Sequence, residues 1–332
     1  MNKTPVSKMP GFPHKGFPEG WFGVGWSSDF PVGEPVLRRY FGEDMVIYRG
    51  ETGRLVAVYA YCPHMGARLD VGGKVEGDCI TCPFHRWKWD ADGNNVDIPY
   101  AEKTMKAKLK TYHVVESGNI VWMWYSWRSE EPGWDVPQLD FLSGDEFFWD
   151  DEASKRLWTN VRLTPQMVAE NIVDGPHIEF VHLADEGGHI VNIDIQGPVF
   201  SVEVDQTFRT RRGPVLGKTV NDSLGVGTQI SKMQFGDYRV VNVLTTTPIE
   251  EDRCDMRASI FIALPEGMEK PARASELPAK LQRLIQSHLD SQEQDLPLWE
   301  TMIYEARPLL VAEEIQGHVK LRKWAKQFYE PA

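Results

Sequence analysis

Apolar positions recur with a period of two in short runs through the first third of the chain, the spacing of half-buried β-strands. Met45 to Arg49 and Leu55 to Ala60 flank Gly50-Glu51-Thr52-Gly53, which reads as a hairpin. Tyr112 to Val115 and Asn119 to Tyr125 flank a second turn at Ser117-Gly118. A small all-β unit therefore spans about Trp21 to Trp127. Its end is marked by Ser129-Glu130-Glu131-Pro132-Gly133, a polar stretch of linker type. Beyond it the pattern predicts one helix, then strands, then a long helix. Phe200, Val202 and Val204 alternate with Ser201, Glu203 and Asp205, and Arg239 to Thr247 and Arg257 to Leu264 continue the strands. From Leu281 the period changes to 3.6, with Leu284, Ile285, His288, Gln292, Leu296, Trp299 and Ile303 on one stripe. The plan is α+β, an antiparallel sheet covered by helices.

Composition narrows the function. The chain has 332 residues, enough for about two domains, with 42% apolar and 11% aromatic residues. That is ample material for a large core and an apolar pocket. A net charge of -12 argues against nucleic acid and anionic membrane surfaces as partners. Met1 to Pro5 lack the apolar run of a signal peptide, and no stretch approaches a membrane span. A cytoplasmic location is expected.

Two short motifs carry redox chemistry. Cys62-Pro63-His64 is followed, seventeen residues on, by Cys82-Pro83-Phe84-His85. Two thiolates and two neutral imidazoles can hold a Rieske-type 2Fe-2S cluster, the thiolates on one iron and the imidazoles on the other. A tetrahedral zinc site is the alternative for two Cys and two His. Each arm here mixes one Cys with one His, whereas zinc fingers usually pair like with like. Pro63, Gly66, Gly72, Gly73, Pro83 and Gly93 supply the tight turns that two clasping loops need. Arg68, Lys74, Arg86 and Lys88 gather nearby and offer a docking patch for an acidic electron donor, with a solvated surface as the competing reading. Cys79 and Cys254 show no disulfide spacing and read as core or strand residues.

A second polar constellation follows Thr164-Pro165, a helix start with Thr as N-cap and Pro at the first helical position. Asn171, Asp174 and His177 recur every three residues and fall near one helical face, and His182 follows a kink at Gly175-Pro176. Two imidazoles want a carboxylate to complete a 2-His-1-carboxylate site for Fe(II) with open positions. Asp295 lies within the stripe of the long helix, whereas Asp290, Glu293 and Glu300 point away from it. Asp295 is the third candidate ligand. Pro297 could bend this helix.

In this order the motifs closely resemble the oxygenase component of Rieske non-haem iron oxygenases, over essentially the whole chain from about Gly20. Tyr61 to Ala67, Gly72-Gly73-Lys74-Val75, Asp97-Ile98-Pro99-Tyr100, Ala169-Glu170-Asn171 and Gln294-Asp295 are similar to the 3-ketosteroid 9α-hydroxylase branch. The resemblance implies an N-terminal extension over residues 1–20, a Rieske domain over 21–128 and a catalytic domain of helix-grip type over 129–332. It implies a 2Fe-2S cluster on Cys62, His64, Cys82 and His85 and one Fe2+ on His177, His182 and Asp295, with Asn171 and Asp174 as catalytic residues beside them. It also implies a head-to-tail homotrimer in which Asp174 links His85 of one copy to His177 of the next. Arg86 stands where the family commonly has Gly, and Gly175-Pro176 is a stiffer insert than many relatives carry. The chain lacks a Gly-rich nucleotide fingerprint, so electrons from NAD(P)H would arrive through a separate ferredoxin-type reductase or ferredoxin. The expected reaction is monooxygenation of a bulky apolar substrate with O2, a steroid of the 3-ketosteroid kind. A ring-hydroxylating dioxygenase or arylamine N-oxygenase is the alternative. A simple Rieske electron carrier would leave the second constellation unexplained.

Overall fold

The computed structural model describes residues 8–128, 131–182, 184, 186–210 and 213–331. Met1 to Ser7, and Ser129 and Glu130 of the expected linker, lie outside the described residues. Three small antiparallel sheets form the N-terminal part. Gly20–Trp26 pairs with Ile120–Tyr125, which pairs in turn with Val114–Ser117. The first expected hairpin is present as Glu43–Arg49 and Leu55–Tyr59, flanked by Val36–Tyr40 and Thr111–Tyr112. The expected strand Tyr112 to Val115 is split: Tyr112 pairs with Ala57, whereas Val114 onward turns to the other sheet. A third sheet, Lys74–Glu76, Cys79–Thr81, Lys88–Trp89 and Asn95–Asp97, carries the second Cys/His loop.

The C-terminal part is built on an eight-stranded antiparallel sheet. Its centre is a meander in which His189–Gln196, Val199–Thr210, Gly213–Leu224, Thr228–Phe235, Tyr238–Glu250 and Arg253–Ala263 each pair with the next. Sequential hairpins explain the order, since each strand meets its neighbour through a short turn. The alternation in the sequence appears as burial: Phe200, Val202 and Val204 face the core. Helices cover one face. The expected first helix is divided into α1 (Pro165–Glu170), a 3-10 turn at Asn171–Val173 and α2 (Gly175–Phe180). The long helix α3 runs from Ala279 to Thr301, and a fourth, α4 (Ala312–Ala325), was not evident in the sequence. Its buried residues are Gly317, Leu321, Trp324 and Ala325, while Ile315 and Val319 are exposed. Apolar residues on both faces blur its period.

Helix α3 buries Leu281, Ile285, Leu289, Asp295 and Trp299 against the core that contains Ala258, Ile260 and Ile262 of the sheet. The stripe holds as far as Trp299, but Ile303 lies beyond the helix end and is exposed. Pro297 lies inside the helix without ending it; it is on the exposed face, where water can meet the Glu293 carbonyl that its missing N–H leaves free. Trp21, Trp26 and Trp122 pack with Val243 and Phe261, so one core joins the first sheet to the large one. Cys79 and Cys254 are free thiols, as expected. Among the described residues no helix is long and apolar enough to cross a membrane.

Candidate metal centres

The two Cys/His loops have the same backbone. In the first, the amide of Gly66 donates to the carbonyl of Cys62, and that of Cys62 donates to Ala67 (both 2.9 Å). In the second, Arg86 donates to Cys82 (3.1 Å) and Cys82 to Trp87 (2.8 Å). The fifth residue of each turn is left-handed, Gly66 with φ 75° and Arg86 with φ 63°. Glycine adopts that conformation freely, whereas a residue with a Cβ is strained by it. The departure at Arg86 is thus conformational as well as electrostatic.

The loops bring like donors together. The buried thiols of Cys62 and Cys82 are adjacent, and burial pushes Cys62 up to about 11. The rings of His64 and His85 lie 4.7 Å apart between centroids. His64 stacks on Trp87, whose indole donates to the Tyr100 hydroxyl (2.7 Å). The Nδ1 atom of His85 is buried with no partner in the protein, which suits a nitrogen that donates to iron. Sorting into a thiol pair and an imidazole pair fits a two-iron cluster. Donors around one zinc would converge to about 3.3–3.8 Å, and these four do not converge so tightly as the triad described next. The basic patch is less than the sequence suggests. Arg68 is held by Asp70 (2.7 Å) and Lys88 by Glu76 (2.5 Å), which leaves Arg86 and Lys74 among the exposed Met65, Phe84 and Tyr100.

Among the described residues, one set of three metal-donor groups lies within 4.8 Å of one another: His177, His182 and Asp295. His177 and His182 come from the broken helix and its exit, Asp295 from the middle of α3. The break has a specific cause. Asp174 is non-helical (φ -98°, ψ 83°), and its carboxylate caps α2 by accepting from the His177 amide (3.3 Å). A Cβ on Gly175 would sit 2.0 Å from the carbonyl oxygen of Gly188, so this position admits only glycine. The expected shared face of Asn171, Asp174 and His177 is therefore replaced by a turn that aims each side chain separately.

Hydrogen bonds orient the donors. His177 Nδ1 donates to the carbonyl of Asp174, which leaves Nε2 with its lone pair for a metal. His182 Nδ1 faces Gln294 Oε1 at 3.0 Å and Ser291 Oγ at 3.3 Å, and its Nε2 lies 3.5 Å from Asp295 Oδ2. Ligands at right angles on an ion about 2.1 Å from each would be about 3 Å apart, so the spacing fits one ion with both on adjacent positions. Asn171 donates to the same Asp295 oxygen from the other side (3.4 Å). Burial raises the pKa of Asp295, whereas the imidazoles of His182 and His177 lower it. With only 5% of its surface exposed, the carboxylate needs a cation. Asp290 and Glu293, by contrast, pair with Arg156 on the outer face of α3. Gln294 and Ser291 were not evident as histidine partners from the sequence; their place on the helical face beside Asp295 was the available signal.

The triad forms one wall of a cavity of about 430 Å3, within the range of small-molecule sites. Its support comes from behind. Glu170, at the end of α1, is gripped by Arg322 of α4 through both carboxylate oxygens (3.0 and 2.7 Å) and accepts from the Tyr304 hydroxyl (2.8 Å). This locks the segment that precedes Asn171.

Comparison with known proteins agrees with this architecture. Residues 20–113 match the Rieske [2Fe-2S] domain and residues 123–329 match the 3-ketosteroid 9α-hydroxylase C-terminal domain. A cholesterol 7-desaturase of Xenopus laevis is 29% identical over 87% of this chain and 66% of its own length. The oxygenase component of a 3-ketosteroid-9-alpha-monooxygenase of Rhodococcus rhodochrous is 28% identical over 91% of this chain and 80% of its own. The chain thus spans about two thirds of the length of the desaturases it matches. Dicamba monooxygenase has the same fold, with a TM-score of 0.72 at 14% identity over 94% of this chain and 99% of that one.

Proposed function

The chain belongs to the 3-ketosteroid 9α-hydroxylase C-terminal domain family of Rieske oxygenases, and from that membership we propose that it is a terminal oxygenase oxidising a C–H bond of a steroid. The observation that carries the proposal is the triad of His177, His182 and Asp295 on the wall of the 430 Å3 cavity, in a chain that begins with a Rieske domain. In this reading Cys62, His64, Cys82 and His85 hold the 2Fe-2S cluster, and the triad holds one Fe2+. When bound, the cluster supplies electrons one at a time and the ferrous ion supplies open positions for O2.

The protein's own residues prepare that chemistry. The Asp174 carbonyl and Gln294 fix the Nδ1–H tautomers of His177 and His182, so that both present Nε2. Asn171 holds Asp295 in place. The cavity orients the substrate beside the triad and limits the access of water. Electrons come from NAD(P)H through a separate reductase or ferredoxin, a partner consistent with the name "oxygenase component" of the Rhodococcus relative. Three copies form a head-to-tail ring in which Asp174 bridges His177 to His85 of the neighbour; the exposed apolar side chains Met65, Phe84 and Phe180 near the two sites support a contact there.

The test is turnover of purified protein with a ferredoxin-type reductase, NADH and air on a panel of steroids beside indole and aryl compounds, read by mass spectrometry. A steroid product with one added oxygen atom is expected. A product lighter by two hydrogens would make it a desaturase, the reading that the Xenopus relative favours. A dihydrodiol or N-oxidised arene would replace the steroid reading.

A further inference from the structure

The cavity floor is the inner face of the meander, where the apolar Val204, Met233 and Leu244 stand among Gln206, Thr219, Asn221 and Ser231. Two further polar residues there are deeply buried amides. Gln229 and Asn242 are 3% and 5% exposed, both line the cavity, and Gln229 Oε1 and Asn242 Oδ1 have no hydrogen-bond partner in the protein. The orientation of Gln229 is fixed, because its Nε2 donates to the carbonyl of Val226 (3.0 Å). Oε1 is therefore an acceptor that lacks a donor. Gln229 lies opposite Leu244 in the strand register, which makes Asn242 its diagonal neighbour on the same face. Diagonal side chains start about 7 Å apart, a gap that one small group spans. A buried acceptor left unmet is costly enough that such groups are normally satisfied.

The chemistry of that group follows from what surrounds it. Among the described residues no Lys or Arg lines the cavity, so a carboxylate or phosphate would find no counter-charge from them. Facing the floor from α3, beside Ser287, Ser291 and Gln292, is His288, whose Nε2 is also buried without a partner and which burial holds down to about 4, hence neutral. A ketone can only accept and would leave Gln229 Oε1 unmet. A hydroxyl both donates and accepts.

We propose that the cavity floor binds a hydroxyl group of the substrate, which donates to Gln229 Oε1 and accepts from Asn242 Nδ2, the Asn242 amide, which no hydrogen bond fixes, being turned so that its Nδ2 meets the ligand. The substrate is then a hydroxysteroid, with its hydroxyl end on the sheet. This rests on the steroid reading above and adds the substituent that orients the ring system.

Equilibrium binding to the holoenzyme tests it without turnover. The probes are two matched steroid pairs, one differing as hydroxyl against ketone at C3 and the other at C17. In one pair the hydroxyl form should bind about 10-fold to 100-fold tighter. Gln229→Met should abolish the preference while leaving affinity for the ketone within about twofold, with an unchanged visible spectrum as the folding control. Asn242→Leu should do the same, and it carries the test if Gln229→Met does not fold. Equal binding within both pairs, or a preference that survives both substitutions, overturns the hydroxyl site and leaves the steroid reading standing. Failure of every steroid to bind overturns both.

Discussion

Cys62 and His64 are separated by one residue and Cys82 and His85 by two, whereas His182 and Asp295 are 113 residues apart. The cluster loops set their donors by local backbone bonds, the same pair in each loop, on three small sheets. The triad has no such local frame. Its members arrive from a broken helix and from α3, and they are held by Gln294, Asn171 and the Glu170–Arg322 grip behind. The difference teaches where each centre is vulnerable. The cluster is sensitive to its own loops, and the triad to packing far from the metal.

Five substitutions can break or sharpen that contrast. Cys82→Ser should remove the cluster's visible absorption while metal analysis still finds iron at the triad. Asp295→Ala should do the reverse, with both variants losing essentially all turnover, since one ligand fewer empties a site. Loss of both metals in either variant would show that the regions are not independent. Asp174→Ala should keep both metals and lower turnover by about 100-fold if the carboxylate bridges copies. Unchanged turnover with a stability loss of about 1 kcal/mol would mean that Asp174 serves only as the cap of α2. Gln294→Leu removes the acceptor for His182 Nδ1–H and should weaken iron at the triad by about 10-fold, measured by chelator competition, with the cluster spectrum unchanged. The smallest effect belongs to Arg86→Gly. Relief of the left-handed strain should raise stability in denaturant titration by up to about 1 kcal/mol. A loss of stability would show that the Arg86 side chain contributes more than its backbone costs.

The sequence by itself determined the elements whose information is local. Cys-x-His and Cys-x2-His lie in tight turns and bring their own geometry with them. The hairpin at Gly50 to Gly53 and the alternation at Phe200, Val202 and Val204 were legible for the same reason, because strand period and turn chemistry are short-range. Even Asp295 could be chosen over Asp290 and Glu293, since helical period alone separates the buried stripe from the face that meets Arg156. Only the tertiary structure decided the rest. It placed the break at Asp174, one residue ahead of the kink expected at Gly175-Pro176, where Gly188, distant in sequence, closes onto Gly175. It neutralised Arg68 and Lys88 with Asp70 and Glu76, and it turned Ile303 out beyond the end of α3. It gave His182 its partner in Gln294. It also left Gln229 and Asn242 side by side on the cavity floor, through a register that pairs Gln229 with Leu244. Such contacts depend on which distant surfaces meet, and neither residue's neighbours in sequence carry that information.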